Sequence, residues 1–211
     1  MKNPFKDIKT LNRKQLIDDA FKQASKSAER LDIRDKKIEI ARQREGLRVK
    51  IVGNFLVSQI KDSIRSFPDF DKISEIHYKL TDGLIGINNL KISLDSLNRT
   101  ANEIRRIQMK SFDRLKTART TFDCRDIRKE FYGRIVYFFK KNKKDLDLIY
   151  DAFILKKLPD FKEMPTIIIA GLPNVGKTSL LKCLTGSEPE IETYPFTTKG
   201  LMLGYSKNIQ F

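Results

Sequence analysis

The chain has 211 residues, 40% of them apolar, and 42 basic against 27 acidic side chains give it a formal net charge of +15. That length allows one large domain or one complete domain with part of a second, and so apolar a composition excludes a disordered chain. No run approaches the roughly eighteen consecutive apolar residues of a membrane span, the opening MKNPFKDIKT lacks the apolar core of a secretory signal, and Cys124 and Cys183 match neither a disulfide framework nor metal-ligand spacing. A soluble, intracellular protein without a membrane partner and without zinc is therefore expected.

Few helix breakers occur in the first 158 residues. From Leu11 to Leu31, Leu16, Ala20, Ala24, Ala28 and Leu31 recur at spacings of three and four, one sparse helical stripe that predicts weak packing. A second helix is predicted from about Ile33 to Phe67. Its first half is heavily charged, its second half carries Val49, Val52, Leu56, Ile60 and Ile64 on one face, and Pro68 ends it. A short segment, Lys72–Leu80, follows. Between Ile87 and Leu115 the positions Ile87, Leu90, Leu94, Leu97, Ala101 and Ile104 alternate in steps of three and four. The same seam then passes through the polar Gln108 and Ser111, which favours an ordinary bundle over a coiled coil. From Asp126 to Leu158 a comparable face comprises Ile127, Phe131, Ile135, Phe138, Leu146, Ile149 and Phe153, interrupted at KKNKKD, residues 140–145. The prediction is an antiparallel helical bundle over residues 1–158.

Two prolines in LPDFKEMP mark residues 159–165 as a linker, after which the pattern changes. Thr166–Ala170 is a short β-branched run suited to a buried parallel strand, Gly171–Lys177 a loop, Thr178–Thr185 a helix and Ser187–Thr198 an extended loop; Gly200–Tyr205 and Ile209–Phe211 read as two strands. The fold class is thus multidomain α and α/β, a helical bundle followed by a partial P-loop α/β domain over residues 166–211.

Gly171-Leu-Pro-Asn-Val-Gly-Lys-Thr178 satisfies GxxxxGK[ST] in the strand–loop–helix context that the motif needs. Backbone amides of Gly171, Leu172, Pro173 (which has no N–H to give), Asn174, Val175 and Gly176, with those of Lys177, Thr178 and Ser179 at the helix start, form a cradle for phosphate oxygens. Lys177 is positioned to reach the β- and γ-phosphates, and the Thr178 hydroxyl to ligate Mg²⁺. Twenty residues on, Glu192-Thr-Tyr-Pro-Phe-Thr-Thr198 can carry a hydroxyl to the metal and the γ-phosphate, a loop that orders with triphosphate and relaxes after hydrolysis. A polar surface loop with incidental threonines is the alternative.

Charge divides unevenly between the two parts. Residues 1–164 carry 38 basic and 24 acidic side chains, whereas the rest carry four lysines and three glutamates. An excess of that size in one part points to a polyanion, and nucleic acid is the expected partner. Arg42, Arg44, Arg48 and Lys50, together with Arg105, Arg106 and Lys110, are the candidate phosphate contacts. His77 lacks a metal-ligand neighbourhood and reads as a surface or packing residue. Phe131–Tyr132 and Phe138–Phe139 fall at helical spacing and read as core.

The segments GLPNVGKTSLLKCLTG and EIETYPFTTKGLMLGY resemble the Obg-related GTPases, and among them the nucleolar GTP-binding protein 1 (Nog) family. Upstream, NPFKDIK, SFPDFDKI, INNLKISLDSLNRTANEI and RDIRKEFYGRI are similar to that family's helical N-terminal domain, so the resemblance extends over essentially the whole chain. The NPF start and RKEFYGR resemble the archaeal branch. The resemblance implies a GTPase, hydrolysing GTP to GDP and phosphate, that joins assembling large ribosomal subunits, with the helical domain on large-subunit ribosomal RNA in the pre-ribosomal particle. It implies GTP and Mg²⁺ as ligands, Thr178 and Thr198 as metal ligands, Lys177 and Thr198 as catalytic residues, and Phe196 and Thr197 bordering the nucleotide. Asn174 matches the position at which some relatives hold K⁺, with packing inside the loop as the alternative. A monomer when free, cytoplasmic and ribosome-associated or nucleolar in a eukaryote, is expected. The family pattern continues with a DxxG loop and an NKxD guanine-reading motif, neither of which follows the phosphate loop here, so guanine over adenine rests on the resemblance and a fragment of a longer product is expected. A non-enzymatic RNA-binding scaffold with a vestigial nucleotide site is the alternative function.

Overall fold

The computed structural model describes residues 1–31, 35–158, 160–161, 167–172, 174–186 and 204, with the backbone alone at 190–192 and 201–203. Contacts divide the chain into one compact unit from Asp7 to Phe153 and another joining Met1–Lys6 to Ile154–Phe211.

The larger unit is a bundle of helices α1 (Arg13–Glu29), α2 (Lys37–Ser66), α3 (Glu75–Leu84), α4 (Ile87–Thr117), α5 (Thr121–Lys141) and α6 (Lys143–Asp151). Their ends follow from local chemistry. Asn12 caps α1 by accepting from the Gln15 amide at 3.2 Å. Thr120 and Asp123 form a reciprocal capping box at the start of α5, so two amides that no helical carbonyl can reach are both bonded. Pro68 pushes Phe67 into extended backbone, ψ 140, and α2 stops there. At Asn142 the backbone leaves the helix between α5 and α6, within the lysine-rich interruption seen in the sequence.

Helices α2 and α4 are the central pair: α2 also touches α1 and α5, and α4 also touches α3, α5 and α6. Val49, Val52, Leu56 and Ile60 of α2 and Ile87, Leu90, Leu97, Ala101 and Ile104 of α4 are all buried, as their spacing predicts. The alanine stripe of α1 is not a weak face: Ala20, Ala24 and Ala28 have no exposed area, since small side chains let the helix backbone approach its neighbour. Two aromatic expectations change. Phe139 is buried while Phe138 is half-buried, because a seam stepping by four from Ile127 through Phe131 and Ile135 arrives at 139. Phe153 is 50% exposed, because α6 ends at Asp151 and the tighter 3-10 turn Ala152–Lys157 breaks the α-helical period that the expected face assumed.

Several buried polar and charged groups are matched within the bundle, although the Thr81 and Tyr132 hydroxyls have no hydrogen-bond partner among the described residues. Glu45, 5% exposed, pairs with Arg48 at 2.9 Å and with Arg128 of α5 at 2.7 Å. Arg128 lies over the Tyr132 ring, which stacks on Phe21 with centroids 4.3 Å apart. Asp145 of α6 accepts from Ser93 at 3.0 Å and Ser96 at 2.6 Å on α4. His77 is buried, with Nδ1 2.7 Å from the Ser74 hydroxyl, and is a packing residue.

In the smaller unit the amino terminus clasps the 3-10 turn. Asn3 Nδ2 donates to the carbonyls of Leu155, Lys156 and Leu158 at 3.0, 3.1 and 2.8 Å, and the Phe161 amide donates to Met1 at 2.8 Å. Helix α7 (Lys177–Thr185) and the antiparallel pair β1 (Glu190–Glu192) and β2 (Leu201–Leu203) complete the described elements. The expected strand at Thr166–Ala170 does not form: residues 167–170 are in no sheet and Ile168 is 85% exposed. A parallel strand needs hydrogen-bonded neighbours, and the described residues offer this run none. Strand β2 falls inside the expected Gly200–Tyr205, but its partner is 190–192, within the stretch expected to be an extended loop, while Ile209–Phe211 lie outside the described residues.

Candidate nucleotide site and cationic surface

The loop before α7 has the backbone that its sequence requires. Gly176 is the N-cap at φ 83, ψ 12, a left-handed conformation that costs an L side chain about 1–2 kcal/mol. Asn174 also has positive φ, at 64, which asparagine tolerates better than most residues. Asn174 therefore has a backbone role in the turn, a role the motif pattern does not reveal because x stands there. Gly171 needs no such freedom; a Cβ there would meet Val175 Cγ2 at an ordinary 3.5 Å.

Lys177 opens α7, one residue earlier than expected, and the Leu180 amide donates to Gly176 at 2.9 Å to close the first turn. The preceding amides of that turn have no acceptor inside the helix, and with the helix dipole they make its start an anion-seeking surface. The Lys177 ammonium donates to the Leu172 carbonyl, so its stem folds back across the loop. A phosphate oxygen is the stronger, charge-assisted acceptor for that ammonium. Leu172 and Val175 are 76% and 60% exposed, and Leu180 and Leu184, one turn apart on α7, are 49% and 42% exposed. Gly204 lies close against α7, since a Cβ there would stand 2.5 Å from Thr185 Cγ2.

Gly171, Leu172, Asn174, Val175, Gly176, Lys177, Thr178 and Ser179 are thus brought together as one loop and helix start. Pro173, Phe196, Thr197 and Thr198 lie outside the described residues. Among the described residues no group of three or more His, Cys, Asp or Glu is placed to hold a metal ion. A magnesium ion at this loop would be held by hydroxyl and phosphate oxygens, a hard-oxygen set into which Thr178 fits.

The structure separates the candidate phosphate contacts on the bundle. Arg42 donates to the Ala118 carbonyl at 3.2 and 2.8 Å and pairs with Glu39, so it closes the end of α4. Arg48 is held by buried Glu45, and Arg106 pairs with Glu103 at 2.6 Å. Arg44, Lys50, Arg105 and Lys110 are exposed. Periodicity in the sequence does not distinguish these fates, since both groups fall among charged helical positions.

A family model described as the NOG1 N-terminal helical domain matches residues 5–164. The chain belongs to the Nog family. A second model, described as a 50S ribosome-binding GTPase, matches residues 166–211 of this Nog chain. An uncharacterized protein of Methanocaldococcus jannaschii is 33% identical over 213 residues, covering 99% of the chain and 60% of that protein. Nucleolar GTP-binding protein 1 of Saccharomyces cerevisiae is 30% identical over 160 residues, 75% of the chain and 25% of the yeast protein, and its counterpart in Drosophila melanogaster is 27% identical over 161 residues, with 75% and 25% covered. The Nog chain therefore spans a part of each relative's length. Among its described residues no helix is long and apolar enough to cross a membrane.

Proposed function

We propose that this protein is a GTP-binding ribosome-assembly factor, whose helical bundle docks on large-subunit ribosomal RNA and whose nucleotide loop times binding or release. The observation that carries the nucleotide half is Gly176 at φ 83 delivering the chain into α7 at Lys177, in a segment similar to a GTPase model. The RNA half is supported by the excess of 38 basic over 24 acidic residues within 1–164 and by the similarity of residues 166–211 to a model described as a 50S ribosome-binding GTPase.

In this reading the amides of the first helical turn receive phosphate oxygens, and Lys177 exchanges its bond to the Leu172 carbonyl for the β- and γ-phosphates. Thr178 and Thr198 would hold Mg²⁺, which would supply neutralising charge at the phosphoryl group, and Asn174 would be the residue to hold K⁺. In its full-length form such a protein hydrolyses GTP to GDP and phosphate, associated with ribosomal precursors in the cytoplasm, or in the nucleolus of a eukaryote. The test is calorimetric titration with GTP and Mg²⁺ beside retention of ribosomal RNA. Binding of GTP by the wild type, loss of that binding in Lys177→Ala, and unchanged RNA retention are expected. No GTP binding up to millimolar concentration would leave the alternative, an RNA-binding scaffold, and loss of both activities in Lys177→Ala would refute the division of labour.

A further inference from the structure

Between α2 and α4 runs a groove of about 270 Å³ whose walls bring together charges that the sequence keeps far apart. Lys61 and Arg65 project from α2, four residues and so about 6 Å apart along the axis, and Arg105 reaches in from α4. Among the described residues none of the three is in an ion pair, whereas Arg42, Arg48, Arg106, Arg114, Arg128 and Arg134 all are. The acidic member of the groove is Asp62, which accepts from Ser58 Oγ at 3.2 Å and leaves the groove with a surplus of two positive charges. Gln108 closes the floor and is itself anchored on α2.

We propose that this groove receives the phosphodiester backbone of RNA, with Lys61, Arg65 and Arg105 as its phosphate contacts; the proposal rests on the RNA-binding reading above and names the surface responsible. Two cations one helical turn apart and a third facing them suit successive phosphates along a strand, because each cation then meets a separate charge. Asp62 disfavours a small, concentrated anion by repulsion but offers an acceptor to a ribose 2′-hydroxyl, which alternates with phosphate along RNA. A cation outside any ion pair also gives up less on binding than one that must first break such a pair. Arg42 and Arg48, whose guanidiniums are engaged within the bundle, are not contacts in this picture.

The test compares two triple variants of the whole chain for retention of purified large-subunit ribosomal RNA over a range of salt. In the groove variant Lys61, Arg65 and Arg105 are each replaced by Gln. In the control Lys14, Lys22 and Lys26, exposed on α1, are replaced by Gln, which removes the same charge. Circular dichroism confirms that both remain helical. Losing three phosphate contacts is expected to reduce the log–log salt slope by roughly two to three and to weaken binding on the order of 50-fold at about 0.15 M salt, with the control within a few-fold of wild type. Equal weakening of both variants, or an unchanged groove variant, would overturn the assignment while leaving RNA binding standing. Displacement of RNA from the wild type by millimolar inorganic phosphate would mark a small-anion site and overturn it too. Failure of the wild type to retain RNA at all would instead refute the parent reading.

Discussion

Gly53 and Gln108 make the central helix pair a lock whose sign can be reversed. Gly53 is buried in the middle of α2, where a Cβ would stand 2.5 Å from Cδ and Nε2 of Gln108 and 2.8 Å from its Oε1. The glutamine amide uses that gap to donate to the Lys50 carbonyl at 3.1 Å and to Asn54 Oδ1 at 3.2 Å. Gly53→Ala on an ordinary helix would stabilise by about 1 kcal/mol, because glycine has more backbone freedom to lose. Here the new methyl expels the amide, and two hydrogen bonds at about 1 kcal/mol each are lost, so the net effect is roughly 1 kcal/mol of destabilisation. Once Gln108 has been changed to Ala the obstruction is gone, and Gly53→Ala should then stabilise by about 1 kcal/mol. Urea unfolding followed by circular dichroism on the four proteins of the cycle gives the coupling, expected near 2 kcal/mol. Stabilisation by Gly53→Ala in the wild-type background would refute the reasoning, for it would mean that the amide has an equally good place to go.

Glu45→Ala leaves Arg48 and Arg128, each with 23% of its side chain exposed, without their carboxylate, and a loss of about 3 kcal/mol is expected in the same unfolding assay. A loss under 1 kcal/mol would show that water replaces the carboxylate. Asn3→Ala removes three hydrogen bonds to consecutive-turn carbonyls, and faster proteolysis around residues 155–161 is expected while protection of α2 and α4 in hydrogen exchange is unchanged. Asp123, held below the ordinary carboxylate range by the hydrogen bond from the Thr120 amide, and Glu130, held down by its bond from Arg114, contribute stability above their unfolded pKa near 4. That contribution is lost as pH falls through their lowered folded values, so the melting temperature should drop below pH 4, and less so in Asp123→Asn; an equal drop in both would assign the acid sensitivity to other groups.

By itself the sequence determined most of the buried helical faces and the turn before α7, because both are encoded locally. A stripe at spacings of three and four fixes which face of α4 turns inward, Pro68 stops α2 without reference to any distant residue, and GxxxxGK[ST] demands left-handed backbone at Gly176 whatever surrounds it. Tertiary structure alone decided the rest. Whether Arg42 meets a phosphate or the Ala118 carbonyl depends on where α2 passes the end of α4, and the meeting of Lys61 and Arg65 with Arg105 depends on the pairing of the same two helices. Residues 167–170 carry strand-like side chains yet form no strand, since a sheet, unlike a helix, closes its hydrogen bonds only with segments remote in sequence.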